Sequence, residues 1–203
     1  EMITSKVKVV KIDASTKEPL LLPGIRFKIK NLDTGQYVCE TNSCEFETKE
    51  DGTFVTSKDL PFGTYQLEEV KQVIKNYLWQ ESPLLFSINE STVLENDPEF
   101  GPIITLFFEN IPVKGQLEIV KYGEKVEIEK GNYFYQDILL DDVWFQLYAA
   151  EDIYSANQIL QYRKGELVEE FQTENGFYCV DDLWLGEYYL VEKETVHGHP
   201  LDP

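Results

Sequence analysis

Apolar and polar residues alternate over short segments along the whole chain, and clusters of Asp, Gly, Asn and Pro separate these segments. Side chains alternate faces along an extended strand, so a period of two predicts half-buried β-strands and an all-β protein. No long stretch keeps the 3.6-residue period of an amphipathic helix. The one place with room for a helical turn or two is Tyr154–Tyr162, which has no cap.

The same strings recur in the same order. Val7-Lys8-Val9-Val10-Lys11 is matched by Leu117-Glu118-Ile119-Val120-Lys121, each a strand ending in lysine. Ile25 to Ile29 corresponds to Val143 to Leu147. Gly63-Thr64-Tyr65-Gln66-Leu67-Glu68-Glu69 corresponds to Gly186 to Glu192, each introduced by an Asp-Leu pair, Asp59-Leu60 and Asp182-Leu183. An internal repeat of this kind predicts two tandem units, with the spacing differences absorbed in loops. The boundary is expected near Val113 to Gly115, giving domains 1–113 and 114–203, because Pro112 ends one strand and Leu117 begins the next unit.

Parity then singles out three polar residues. Val7 and Val9 place Lys11 on their own apolar face; Tyr65 and Leu67 do the same for Glu69; Ile104, Leu106 and Phe108 do it for Asn110. A single lysine at a strand end is ordinarily one that snorkels to water. An amine, a carboxyl and a carboxamide at the inward ends of three strands are chemically complementary. Desolvation favours a neutral amine and a protonated carboxyl, so Lys11 becomes a nucleophile toward the Asn110 side chain, with Glu69 as proton shuttle. The product is an isopeptide crosslink with loss of ammonia, made once per chain. In the second unit the same parity leads to Lys121 and Glu192.

Composition narrows the partners. The 203 residues are 42% hydrophobic and 27% charged, ordinary for a folded protein, but 37 Asp and Glu against 18 Lys and Arg give a formal charge of -19. Such a surface repels phosphate backbones, which argues against nucleic acid. No apolar run approaches the roughly 20 residues of a membrane span, and no signal peptide, lipidation motif or sorting tail is visible, so an excised soluble segment of a longer protein is expected. Cys39 and Cys44 flank a turn-like Thr-Asn-Ser run and are spaced either to close a hairpin loop by a disulfide or to remain a free pair in that loop. Cys179, in Phe177-Tyr178-Cys179-Val180, is expected in a strand core. His197 and His199 have no third ligand nearby, so no metal or other cofactor is expected. The acid run Glu95 to Glu99 reads as a solvated loop before a calcium site.

The motifs VKVVKID (7–13), Asp51-Gly52, GTYQLEEV (63–70) and Phe108-Glu109-Asn110, with LYAAEDIY (147–154) and GEYYLVE (186–192), resemble the Cna-B and SpaA-type prealbumin-like domains of Gram-positive surface adhesins and pilins. The resemblance implies tandem immunoglobulin-like or transthyretin-like β-sandwiches on an extracellular, cell-wall-attached protein. It also implies that a first-strand lysine bonds a last-strand asparagine with help from a glutamate, here Lys11, Asn110 and Glu69. Two departures stand out. Val70-Lys71-Gln72-Val73-Ile74 replaces the Ala-Pro-x-Gly-Tyr continuation common in the family. The second domain reaches Pro203 without a last strand, and Asn157 and Asn175 are wrongly placed to substitute, so Lys121 with Glu192 is expected to be an incomplete site.

Three functions fit these features to different degrees. A structural stalk or pilin-like module, partnered by neighbouring domains of its parent protein, fits the crosslink. A binding module recognising a host protein or carbohydrate would use aromatics such as Trp79, Tyr133, Phe134, Tyr135 and Trp184, although aromatics in sheets are more often core. A hydrolase built on Asp141-Asp142 or Asp181-Asp182 is excluded because adjacent strand residues point to opposite faces.

Overall fold

The structure, a computed structural model, describes residues 4–194, and the chain divides into two compact units, Glu1–Pro112 and Val113–Pro203. All regular elements of the described residues are strands. Unit 1 contains β1 (Thr4–Ser5), β2 (Val7–Asp13), β3 (Arg26–Asn31), β4 (Phe46–Glu47), β5 (Thr53–Val55), β6 (Leu60–Pro61), β7 (Gly63–Glu69), β8 (Leu84–Ile88), β9 (Glu95–Asp97) and β10 (Gly101–Asn110). They form two four-stranded sheets, ordered β5-β2-β10-β9 and β4-β3-β7-β8, with a small β1-β6 pair.

The alternation of the sequence becomes the core between these sheets. Val7, Val9, Phe27, Ile29, Leu67 and Tyr65 are at most 1% exposed. Phe27 of one sheet meets Phe54 and Phe108 of the other, at ring-centroid distances of 5.5 and 5.1 Å, and so pins the sheets face to face. All strand pairs in unit 1 are antiparallel except β2 with β10, which run parallel with Val7 opposite Ile104 and Asp13 opposite Asn110. The first and last long strands of the unit are therefore neighbours.

Unit 2 contains β11 (Gly115–Val120), β12 (Tyr122–Glu129), β13 (Asn132–Leu139), β14 (Trp144–Ala149), β15 (Ile153–Tyr154), β16 (Leu160–Tyr162), β17 (Leu167–Gln172), β18 (Phe177–Leu183) and β19 (Tyr188–Glu194). The central order β17-β14-β19 repeats β4-β3-β7 of unit 1, and β11 pairs with β18 as β2 pairs with β5. Ile119, Val143, Phe145, Leu147, Phe171 and Val180 form its core.

The structure departs from the sequence pattern at three places. Tyr154–Tyr162 is not helical but holds β15, a Ser155-centred turn and β16. Cys179 lies in strand β18 but faces outward and is exposed, because the parity of that strand buries Val180 instead. Tyr133, Phe134 and Tyr135 are 65%, 52% and 68% exposed rather than core. They belong to the β12-β13 ribbon, a two-stranded sheet that no third strand joins among the described residues, so both its faces meet solvent.

Candidate functional site

Lys11 sits near the end of β2, where the backbone is fixed from both sides. Its N–H donates to Gly52 O (2.9 Å) and its carbonyl accepts from Leu20 N (2.8 Å). The Asp51-Gly52 turn comes this close only because Gly52 lacks a side chain. Its φ is +75°, and a Cβ there would stand 2.0 Å from Leu20 O. Parallel pairing brings Asn110 of β10 to the same end of the sheet, and Glu69 ends β7 in the facing sheet.

The three inward polar residues meet in the core. Lys11 and Asn110 have no exposed surface and Glu69 is 5% exposed. Lys11 Nζ donates to Asn110 Oδ1 in direct contact and lies 3.4 Å from Phe108 O. Glu69 divides its oxygens between the other two side chains: Oε2 is 3.2 Å from Lys11 Nζ, and Oε1 accepts from Asn110 Nδ2 at 3.2 Å. Oε2 receives no hydrogen bond of good angle, so its contact with Lys11 is one of charge and distance rather than of aligned donor. The second N–H of the Asn110 carboxamide goes to Leu78 O at 2.8 Å. Aromatic rings wall the amine, with the Phe108 centroid 4.9 Å and the Phe27 centroid 6.0 Å away.

Burial dominates the protonation of the pair. Loss of hydration lowers the Lys11 amine to about 8, the nearby Glu69 charge only partly opposing the shift. Loss of hydration likewise raises the Glu69 carboxyl above its usual range, against the pull of Lys11 and the Asn110 hydrogen bond. Both shifts favour a neutral amine beside a protonated carboxyl.

In unit 2, Lys121 Nζ contacts Glu192 Oε2 at 2.9 Å, with side-chain exposures of 14% and 5%, and Glu192 Oε1 is buried without a hydrogen-bond partner among the described residues. Leu117 and Ile119 of β11 line a groove of about 560 Å³ together with Leu147, Leu183, Tyr188 and Leu190. Cys39 and Cys44 form a disulfide across the Glu40–Ser43 turn. Asp141 and Asp142 serve turns, Asp141 Oδ1 accepting from Gly176 N at 2.7 Å and Asp142 N donating to Thr173 O at 2.9 Å. Among the described residues no His, Cys, Asp and Glu group is arranged to hold a metal, and Asp97 instead pairs with Lys8 at 2.6 Å. His197 and His199 lie outside the described residues.

Two residues of the site escaped the sequence reading. Asp13 is fully buried two positions after Lys11, so the parity that selected Lys11 selects it as well. Tyr77 donates to Asp13 Oδ2 at 2.7 Å from a segment without strand periodicity, where no sequence pattern marks it.

Comparison with known families places the site in context. Residues 5–98 match the family described as SpaA, prealbumin-like fold domain. This stretch is similar to SpaA-type prealbumin-like domains. The match contains Lys11 and Glu69 and ends before Asn110 on β10. No curated protein sequence matches the chain. Among solved structures, the Bacillus anthracis TIE protein is similar in fold, with a TM-score of 0.51 and 22% identity over 95% of this chain and 29% of that one. The group B streptococcus pilus 2b backbone protein is 25% identical over 53% of this chain and 41% of that one, with a TM-score of 0.41. The major pilin subunit BcpA of Bacillus cereus is 12% identical over 93% and 87%, with a TM-score of 0.43. The chain spans less than half the length of the first two of these proteins.

Proposed function

We propose that the chain is a structural section of a bacterial surface stalk or pilin-like protein, whose SpaA-type domain locks itself with a Lys11–Asn110 isopeptide bond. The observation that carries the reading is the Glu69 carboxyl, with one oxygen beside the attacking amine and the other beside the nitrogen that must leave.

The chemistry follows from that placement. Neutral Lys11 Nζ adds to Asn110 Cγ, and the carbonyl π electrons move to Oδ1. Glu69 takes a proton from the Nζ side through Oε2 and supplies one to Nδ2 from Oε1. When the carbonyl re-forms, the Cγ–Nδ2 bond breaks and ammonia leaves. One proton has moved from Nζ to Nδ2, and Glu69 ends as it began. Holding the partners together in a dry core replaces a bimolecular encounter, an advantage worth about 7–11 kcal/mol in favourable cases. The event occurs once in each chain, so the domain is not a turnover catalyst.

Strand direction supports a load-bearing role. Because β2 and β10 are parallel, tension on the two ends of the unit shears them along their length, loading their hydrogen bonds together. A covalent bond between them takes that load directly. We further propose that unit 2 is a second domain of the same type, with Lys121 and Glu192 as its counterpart pair. The setting is extracellular, on a cell-wall-attached parent whose neighbouring domains continue the stalk.

Pulling the chain by its ends with an atomic-force or optical probe tests the reading. Lys11 and Asn110 are 99 residues apart. A crosslinked unit 1 therefore withholds about 330–360 Å of contour length at the 3.3–3.6 Å per residue of an extended chain. Lys11→Ala should release that length. If the unmodified chain already yields it, the load-bearing crosslink is wrong.

A binding role has one specific observation in its favour, the apolar face of the β12-β13 ribbon. Val126 pairs with Tyr135 and Ile128 with Tyr133, placing four exposed side chains on one face. Binding to a host-protein or glycan array that is lost in a Tyr133→Ser, Tyr135→Ser chain would favour that reading.

A further inference from the structure

The Asn110 carboxamide reacts only if its carbonyl faces Lys11 and its nitrogen faces Glu69. Oxygen and nitrogen of a carboxamide are nearly the same size, so packing alone does not choose between this orientation and the one rotated by half a turn. Glu69 does not choose either. A protonated carboxyl can donate to a flipped Oδ1 as readily as an oxygen of Glu69 accepts from Nδ2. The Leu78 carbonyl can only accept. It takes a hydrogen bond from Nδ2 at 2.8 Å, and in the flipped orientation it would face Oδ1, two buried acceptors opposed. Lys11 Nζ donates to Oδ1, but the neutral amine that reacts has a lone pair and could accept from a flipped Nδ2 as well, so in the reactive state Leu78 O is the group that fixes the orientation.

The location of that carbonyl raises a question of support, because residues 70–83 between β7 and β8 contain no strand and include Val73, which is 99% exposed. Two anchors flank Leu78. Its own N–H donates to Ile111 O at 2.8 Å, one residue beyond Asn110. The preceding Tyr77 is 5% exposed and donates its phenol to Asp13 Oδ2 at 2.7 Å. Asp13 is itself rigidly held, with Oδ1 accepting from Ser15 N at 2.7 Å and Thr16 N at 3.0 Å. Ala14 N donates to Asn110 O at 2.9 Å, so the turn that fixes Asp13 also fixes the Asn110 backbone. Burial and the Asp13 carboxylate both push the Tyr77 phenol well above its ordinary value, so it remains a donor.

We propose that Tyr77 and Asp13 are a positioning pair for the crosslinking reaction: their hydrogen bond holds the Leu78 carbonyl against Asn110 Nδ2 and so presents the carboxamide carbon to Lys11 and the leaving nitrogen to Glu69. The inference rests on the isopeptide reading above. Neither residue touches the reacting atoms, and their role is distinct from the proton transfers of Glu69.

Timed cell-free synthesis of the full chain tests it, with ammonia loss followed by intact mass and folding by tryptophan fluorescence. Tyr77→Phe should fold as fast as the unmodified chain yet crosslink about tenfold more slowly or worse, as expected when a reactant loses its alignment. Its pH–rate profile should keep the same midpoints at a lower plateau, since the titrating groups are untouched. Asp13→Asn still hydrogen-bonds Tyr77 and should crosslink within about threefold of the unmodified rate, whereas Asp13→Ala should be as slow as Tyr77→Phe. In a Lys11→Met chain, which cannot react, the Asn110 side-chain amide protons should exchange slowly with deuterium, and adding Tyr77→Phe should abolish that protection. Equal crosslinking rates in Tyr77→Phe and the unmodified chain, or unchanged amide protection, overturn the positioning role and leave the isopeptide intact. An unmodified chain that never loses ammonia overturns both.

Discussion

Replacing Glu69 by Gln keeps the shape of the side chain and an oxygen to accept from Asn110 Nδ2, but removes the carboxyl that exchanges protons with Lys11 and Asn110 in the proposed reaction. The variant should fold without crosslinking. In the chain-entropy account, closing a loop of about 100 residues restricts the unfolded chain by about 4.7 kcal/mol at 25 °C, and Lys11 and Asn110 are 99 residues apart. For a unit of this size, about 1 kcal/mol moves the melting midpoint by about 4 °C, so losing the bond should lower unit 1 by about 20 °C. Changing Glu69 also disturbs a buried charge partner, whose removal costs about 3–5 kcal/mol where the other charge stays ionised. Asn110→Ala separates the two effects, because it removes the crosslink while leaving Lys11 beside Glu69. Differential scanning calorimetry of the two variants and the unmodified chain is the assay. A midpoint in both variants within a few degrees of the unmodified chain would refute the claim that a covalent bond contributes to the stability of unit 1.

The crosslinking rate should be bell-shaped in pH, since the reactive state holds one proton shared by Lys11 and Glu69. On the acid side, below the raised Glu69 value, the pair gains a second proton and Lys11 becomes an unreactive ammonium; above about 8, the lowered Lys11 value, the pair loses the proton that Nδ2 needs. Stopped refolding at several pH values reads this, and a rate still climbing at pH 10 would contradict it. Reducing Cys39–Cys44, a separation of 5 residues, should cost about 2 kcal/mol by the same loop-closure account, less than half the effect of losing the isopeptide. Calorimetry with and without a thiol reductant checks the ranking.

Much of this site is readable from side-chain parity. Val7, Val9 and Lys11 share a face in the sequence and are all fully buried in the structure, and the same holds for Tyr65, Leu67 and Glu69 within a few per cent. Asp13 was equally readable, yet a carboxylate at a strand end looks like a solvated residue until the turn that captures it is seen. Tyr77 and the Leu78 carbonyl could not be read. They act from a loop where no period constrains which side chain turns inward, and a backbone carbonyl has no identity in a sequence. Parity also misleads where a strand lacks a covering layer. Tyr133 and Tyr135 alternate as core residues would, but among the described residues neither face of the β12-β13 ribbon has a partner sheet. Cys179 failed for a simpler reason: a short apolar run fits either register, and Val180 took the inward one.

The central claim is the covalent bond, and the mass of the folded chain tests it most directly. After reduction of Cys39–Cys44, the mass should fall below that of the sequence by one ammonia, and proteolysis should release a branched peptide joining Lys11 to Asn110. Lys11→Ala should restore the full mass expected for its own sequence. A reduced, folded, unmodified chain at full sequence mass would contradict the account.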